Sequence, residues 1–302
     1  MSNLSRREWH GLVLGGLTSS LLPRGGFAAG KIDSTIKGVR LGAQSYSFRD
    51  RPLEGVIEGM KAVGLGEIEL WSNHVEPRVD WQKLDEAARK KARDEARAFR
   101  LETPLARFHE IGDKFKAAGI DLYAYNYSFG NDFTDEEISR GFEHARALGA
   151  EIITASTNLT VARRVVPFAE KHQMAVAVHN HSNTKDPNEF ATPESFAAAM
   201  ALSKYFKVNL DIGHFTAANY DPIAYLREHH ADITNLHLKD RKRDQGDNTP
   251  WGTGDTKIRE VLALLKREKW PIRAYIEYEY RGAAGAVEEV GKCLEYAKQA
   301  LA

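Results

Sequence analysis

From Val39 onward the chain alternates eight short β-rich runs with longer helical ones, and this alternation limits its possible folds more than any other feature. The runs are VRLGAQSYS, EIELW, IDLYAYNYS, EIITAS, MAVAVHNHSN, FKVNLDI, ITNLHLK and IRAYIEYEY. Helical patterns lie between them. One extends from Leu53 to Val63 and stops at Gly64 and Gly66. Two more fall within residues 81–118, with Thr103-Pro104 marking the second start, because proline suits a first helical turn. Thr134, followed by Asp135, Glu136 and Glu137, opens a helix to Leu148. The fourth run is followed by a helix to His172. Thr192-Pro193 and Asp221-Pro222 open two others, one helix ends near Lys269, and Val287–Leu301 closes the chain. Strands that alternate with helices pair in parallel, and eight of them close a (β/α)8 barrel. An open doubly wound sheet is the alternative. Its glycine-rich dinucleotide fingerprint is missing after the first run, where GAQSYSFRD lacks the spacing.

The chain has 302 residues, 42% of them apolar, which suffices for one large core, and no second composition regime marks a further domain. Lysine plus arginine and aspartate plus glutamate both number 42. A nucleic-acid surface normally carries a basic excess, so no nucleic-acid partner is expected. The single cysteine, Cys293, excludes an intrachain disulfide and a cysteine-cluster zinc site; its helical setting reads as packing. Residues 1–30 differ from the rest. Arg6-Arg7 precedes the short apolar run GLVLGGLTSSLL, then Pro23 and a small-residue end at Ala28-Ala29-Gly30. This is the layout of an export signal, and the paired arginines resemble the twin-arginine type. The expectation is a periplasmic or secreted protein, a barrel over residues 31–302, and no membrane span in the mature chain, since the apolar run is too short to cross a bilayer comfortably.

Four consecutive runs end in metal-capable groups. The fifth carries His179 and His181, the sixth Asp211 with His214 just beyond, the seventh His237, the eighth Glu277. Residues i and i+2 of a strand share a face, so a fifth strand reaching Asn183 would send His179 and His181 out together. In a parallel barrel the C-terminal strand ends carry the site. Any one of these residues alone reads as a polar group satisfied by its neighbours. Four in succession point to a shared divalent metal, and mixed imidazole and carboxylate donors suit Mn²⁺, Co²⁺, Zn²⁺, Fe²⁺ or Ni²⁺, with Mg²⁺ a further candidate, without selecting among them.

LGAQSYSFRD, HNH, LDIGH, LHLKD, WGTGD and IEYE, in that order along the chain, resemble the motifs of the xylose-isomerase-like TIM barrels, a group that includes sugar isomerases and epimerases, inosose dehydratases and endonuclease IV. The resemblance covers most of the chain from Val39 onward and implies a single (β/α)8 TIM barrel. It also implies a divalent metal held by the ends of strands five to eight, with Asp211, His237 and Glu277 matching the family's ligands on strands six to eight. At strand five the sugar epimerases have a glutamate that binds metal and moves a proton. This chain has His179 there, with His181 two residues on.

The chemistry so implied is proton abstraction beside a carbonyl of a small carbohydrate. Glu277 or a histidine, His181 included, would be the base. Lys239, two residues past His237, would stabilise the enediolate oxygen, and His214 would return a proton or hold a hydroxyl. Return of the proton gives epimerisation or isomerisation. Loss of a β-substituent gives a dehydratase or a (3-keto-)glycoside lyase. An exported enzyme would meet a sugar without phosphate. An endonuclease IV-like phosphodiesterase and a non-catalytic sugar-binding barrel are the remaining classes; the neutral charge opposes the first and the retained ligands the second. Tyr46, Trp71, His74, Asn126 and Tyr127 lie near the ends of strands one to three as stacking or core residues. Glu69 is an inward acid, either supporting the site or simply paired. Glu279 competes with Glu277 for the strand-eight ligand position. Trp251–Asp255 is either a covering loop or an ordinary turn.

Overall fold

The computed structural model describes residues 30–79 and 83–302; the proposed export signal, apart from Gly30, lies outside them. Eight parallel strands follow one another around a closed barrel: β1 (Val39–Gln44), β2 (Glu67–Trp71), β3 (Asp121–Asn126), β4 (Ile152–Ala155), β5 (Val176–His179), β6 (Phe206–Asp211), β7 (Ile233–Leu238) and β8 (Arg273–Ile276). Leu41 pairs with Ala274 and Ala43 with Ile276, which joins the last strand to the first. The expected barrel is therefore present, as one (β/α)8 unit. A two-residue strand, Thr35–Ile36, folds back on β1 as a hairpin through Lys37 and Gly38.

The helices are α1 (Leu53–Val63), α2 (Glu86–Glu102), α3 (Leu105–Ala117), α4 (Asp135–Leu148), α5 (Leu159–His172), α6 (Pro193–Met200), α7 (Ile212–Ala217), α8 (Pro222–His229), α9 (Ile258–Glu268) and α10 (Ala286–Leu301). Their starts follow the local signals. Thr134 and Glu137 form a reciprocal capping box at α4, and the Thr192 hydroxyl accepts from the Ser195 N–H before Pro193. Gly64 and Gly149 end α1 and α4 in the left-handed conformation. None of the described helices is long and apolar enough to cross a membrane.

Side chains alternate in direction along each strand, and the alternation sorts them into two environments. Leu41, Ile68, Leu70, Ile153, Val176, Val178, Val208, Leu210, Leu236 and Ile276 belong to the large core shared with the helices. The residues between them fill the barrel. At its N-terminal end Arg40 and Arg273 pair with Glu67 and Asp121. A small apolar cluster of Tyr123, Ala124, Ile152, Ala177 and Tyr275 lies along the interior. Next come Gln44, Glu69, Thr154, Asn209 and Asn235, all buried, and then the ligand-type residues. The ladder slips by one residue between Ile68 and Glu69 and again between Val208 and Asn209. Such irregularities re-aim side chains.

Several strands are shorter than their apolar runs. β1 ends at Gln44, whose side-chain oxygen accepts from the Tyr46 N–H and turns the chain into a 3₁₀ segment, Ser45–Phe48. β5 ends at His179, so His181 lies in the following loop, its N–H bonded to the Phe190 carbonyl. The short helix α7 was not expected between β6 and Asp221. It forms because Asp211 caps it, accepting from the His214 N–H at 2.7 Å.

Candidate metal centre

His179 is the last residue of β5, Asp211 the last of β6, His237 is next to last in β7, and Glu277 directly follows β8. Each is on the inward-facing register of its strand. All four are buried, and each offers one ligand atom such that the four atoms lie within 4.8 Å of one another. His179 Nε2, Asp211 Oδ2, His237 Nδ1 and Glu277 Oε2 are buried without a hydrogen bond. Some of these atoms are close, with His237 Nδ1 at 3.0 Å from Glu277 Oε2 and His179 Nε2 at 3.5 Å from Asp211 Oδ2. Four buried polar atoms converge here, two of them beside the Lys239 ammonium, in an arrangement that a shared cation would satisfy. The set is two imidazoles and two carboxylates, which fits a divalent ion of the Mn²⁺, Fe²⁺, Co²⁺ or Zn²⁺ kind.

Groups behind the cluster orient it. Ser156 Oγ lies 3.1 Å from His179 Nδ1, leaving Nε2 toward the cluster. Glu69 Oε2 lies 2.8 Å from His237 Nε2, leaving Nδ1. Glu69 is thus a buried, paired carboxylate, and one of its partners is a ligand-type residue. Asn180 holds the β5–β6 junction, its oxygen accepting from the Asp211 N–H and its amide donating to the Asp211 carbonyl.

Lys239 is only 2% exposed. Its Nζ lies 3.0 Å from Asp211 Oδ2, 2.9 Å from Glu277 Oε2 and 2.6 Å from Glu279 Oε2. Burial opposes its charge, but Asp211, Glu277 and Glu279 outweigh burial and raise its pKa above the ordinary lysine value. Glu277, desolvated yet beside Lys239 and His237, is held well below the usual carboxylate range, and Lys239 does the same for Asp211. Burial resists charging of His237, and the carboxylates of Glu69 and Glu277 on either side reverse that and raise its pKa. Gly213 permits the close approach of α7, since a Cβ there would stand 2.7 Å from the Lys239 carbonyl and 2.9 Å from its Cβ.

His214 sits between two cations, Nε2 at 3.0 Å from Lys239 Nζ and Nδ1 at 2.6 Å from Arg241 Nη1. Burial and then Lys239 depress its pKa far below 6.5, so its imidazole is neutral. The His181 side chain is 46% exposed, with Nδ1 3.6 Å from Glu189 Oε1. Burial, His179 and Lys239 push its pKa down to about 4, so it too is neutral at pH 7.

Above these groups lies a cavity of about 280 Å³, lined by Gln44, Tyr46, Trp71, Asn126, Ser128, Ser156, His181, His214, Lys239 and Glu279 together with ligand-type residues His179, His237 and Glu277. Tyr46 and Trp71 meet edge to face at 4.8 Å. Tyr127 is not at the rim. It is buried against Phe129 and Phe133 beneath α4. His74 is also buried, 3.0 Å from the Ser45 carbonyl. Residues 251–255 do not line the cavity. They wrap the Asp240 carboxylate, which accepts from the N–H groups of Gly252, Gly254 and Thr256 at 2.7, 3.0 and 3.2 Å. Gly254 is required there, because a Cβ would stand 2.0 Å from Asp240 Oδ1. Three successive residues therefore do three things: Lys239 faces the cluster, Asp240 organises the loop, and Arg241 reaches back to His214. Sequence reading missed Arg241 and Ser156. Arg241 shows no signal beyond its adjacency to LHLKD, and Ser156 shows only its i+2 spacing from Thr154.

Fold and site together define a (β/α)8 barrel with a candidate metal centre at its C-terminal mouth. The chain belongs to the xylose isomerase-like TIM barrel family, whose model matches residues 57–299. No functionally curated protein matches it. Among solved structures it is similar to the IOLI protein with a bound zinc atom (13% identity, 87% of this chain and 98% of that one, TM-score 0.64). It is also similar to a sugar phosphate isomerase/epimerase from Parabacteroides distasonis (17%, 86% and 95%, 0.58). A third is AsbF from Bacillus anthracis, described as a probable 3-DHS dehydratase involved in petrobactin synthesis (14%, 85% and 99%, 0.61). At these identities the likeness concerns the fold.

Proposed function

We propose that this protein is a divalent-metal-dependent enzyme that removes a proton from carbon beside a carbonyl of a small, uncharged sugar, as an isomerase or epimerase. The observation that carries the reading is the convergence of four buried ligand-type atoms, from two imidazoles and two carboxylates, under a sugar-sized polar cavity. The family membership and the zinc in the IOLI structure support it.

His179, Asp211, His237 and Glu277 would hold the ion. When bound, it supplies Lewis acidity that polarises a carbonyl and acidifies the adjacent C–H. Among the cavity residues Lys239 is the sole lysine or arginine, and its ammonium already faces three carboxylates. No further lysine or arginine lines the cavity to neutralise a phosphate, which favours a neutral substrate. The volume lies just under the usual range for ligand pockets, room for one sugar ring. Tyr46 and Trp71 supply an apolar wall. Gln44, Asn126, Ser128 and Ser156 supply hydroxyl partners.

His181, neutral and open to the cavity, accepts the proton more readily than Glu277, whose oxygen is engaged with Lys239 and His237. Lys239 donates to the oxygen on which charge develops. His214, clamped between Lys239 and Arg241, holds a substrate hydroxyl or fixes Lys239. A second reading, elimination by a dehydratase or a 3-keto-glycoside lyase, is favoured by one specific observation: strand five presents His179 where a two-carboxylate epimerase needs a second acid. Incubating the metal-loaded protein with free sugars and 3-keto-glycosides in D₂O separates these. Deuterium on one carbon without bond cleavage supports epimerisation or isomerisation, aglycone or water loss supports elimination, and neither with any substrate overturns the enzymatic proposal.

A further inference from the structure

Glu69 lies deep in the barrel, below the site, and takes part in none of the steps above. Its side chain is fully buried. Five side chains from four strands address its two oxygens: Gln44 Nε2 at 3.2 Å, Thr154 Oγ1 at 2.7 Å, Asn209 Nδ2 at 3.4 and 3.5 Å, and, from β7, Asn235 Nδ2 at 3.0 Å and His237 Nε2 at 2.8 Å. The two slips in the strand ladder fall next to Glu69 and next to Asn209, its neighbour across the barrel. A buried carboxylate ringed by donors is well satisfied. The informative partner is His237, the one donor among them that also belongs to the ligand cluster.

We infer that Glu69 is a positioning residue for metal binding: it holds the His237 proton on Nε2 and so commits Nδ1 to the ion. A neutral imidazole has one N–H and one acceptor nitrogen, and the partner of one nitrogen decides the role of the other. A carboxylate only accepts, so Nε2, 2.8 Å from Glu69, carries a proton. Nδ1 also faces a carboxylate, Glu277 at 3.0 Å, but that one is a ligand-type residue, and an ion shared with it would take the place of a proton on Nδ1. Asn209 Nδ2, 3.0 Å from the same His237 Nε2, offers the opposite arrangement, in which the amide donates to a bare nitrogen. Asn209 Oδ1 accepts from Asn235, which fixes the amide with its Nδ2 toward Glu69 and His237. The charge-assisted contact to the carboxylate is the shorter and the stronger, and Asn209 retains the Glu69 oxygens as acceptors. His179 is set up differently, since its Nδ1 meets the Ser156 hydroxyl and its Nε2 faces the ion. The two histidines thus present opposite ring nitrogens, and Glu69 sets which one His237 presents.

This inference rests on the reading of His179, Asp211, His237 and Glu277 as a metal site. Its test is a two-bond ¹H–¹⁵N spectrum of the Zn²⁺-loaded wild-type protein, with His237 assigned by the signals lost in His237→Gln. The expected pattern is protonated Nε2 and metal-shifted Nδ1; a metal-shifted Nε2 overturns the inference while leaving the metal site standing. Titration with Co²⁺ supplies the second measurement. Glu69→Gln can turn an amide N–H toward Nε2 and drive the proton to Nδ1, so its Co²⁺ affinity should fall about 10–100-fold, and Glu69→Asp, which keeps the carboxylate, should recover part of the loss. Unchanged affinity in folded Glu69→Gln overturns the inference. Wild-type protein that binds neither Zn²⁺ nor Co²⁺ overturns the metal-site reading and this one together. Should Glu69→Gln not fold, the wild-type spectrum alone decides.

Discussion

Replacing Lys239 by methionine tests the electrostatics of the site most directly. The ammonium touches three carboxylates at 2.6–3.0 Å and is shielded from water. At an effective dielectric constant of about 20, one such pair at roughly 3 Å is worth about 5–6 kcal/mol of gross attraction. The cost of burying the charges offsets much of that. Removing one partner leaves the desolvation cost behind, and for buried pairs the net loss is about 3–5 kcal/mol. For a protein of this size each kcal/mol shifts the melting temperature by roughly 2–4 °C, so metal-free Lys239→Met should melt about 6 °C or more below wild type. A divalent ion supplies the missing positive charge among the same oxygens. The variant should therefore bind Co²⁺ at least about tenfold more tightly than wild type, a difference near 1.4 kcal/mol that adds to its thermal gain on metal addition. Differential scanning fluorimetry with and without Co²⁺, together with calorimetric titration, reads both effects. A metal-free variant as stable as wild type, or one that binds Co²⁺ more weakly, would refute the reasoning, because Lys239 would then be no counter-ion to the carboxylates.

Asp211→Asn removes one anionic ligand while leaving an oxygen to cap α7; it should lose more metal affinity than the roughly 10–100-fold typical of changes behind the ligands. Turnover should vanish with chelator and return with added metal, and persistence in chelator would count against metal dependence. His144, 1% exposed and stacked on Phe108 at 3.8 Å, has neither ring nitrogen hydrogen-bonded. Burial, with Arg140 and Arg100, pushes its pKa down to about 3. The unfolded chain takes up that proton first, so the stability His144 contributes is present above about pH 6.5 and is lost as pH falls toward 3. Between pH 7 and pH 5 the loss is about 2 kcal/mol. His144→Phe keeps the stack and should flatten that slope in urea titrations; an unchanged slope would assign the pH dependence elsewhere. We expect Arg6→Lys with Arg7→Lys to abolish export, and periplasmic accumulation of the double variant on fractionation would remove the twin-arginine proposal.

What sequence alone disclosed follows the range of the physics involved. Helix starts at Thr134, Thr192 and Asp221 were legible because a cap bonds two or three residues away. The four ligand-type residues were legible because a period of two at a strand end needs no partner strand to be recognised. Extents were less legible. Whether β5 continues to His181 depends on Phe190, which takes the His181 N–H from across the loop. Helix α7 hid because its sequence, IGHFTA, is brief and its cap is a residue already assigned to the metal. Glu69 could be seen to point inward, but its role is made by side chains 25–168 positions away along the chain, and no local pattern records them. The WGTGD segment read equally as cover or turn, and the deciding partner was the buried carboxylate of Asp240.

That carboxylate bears on how this barrel could be re-engineered. Loops at the C-terminal mouth are commonly treated as interchangeable parts on a fixed frame. The loop after β7 is not one. Its backbone closes on Asp240, whose two neighbours in the chain are Lys239, the counter-ion of the site, and Arg241, the partner of His214. A graft that keeps the ends of this loop but omits the N–H groups at positions 252, 254 and 256 would strand a buried carboxylate between them, and the ammonium and guanidinium on either side would lose their alignment. Changes of substrate scope are better sought in the 183–189 segment after β5, whose Glu189 lies 3.6 Å from the cavity-lining His181; changes there leave the β7 strand end untouched.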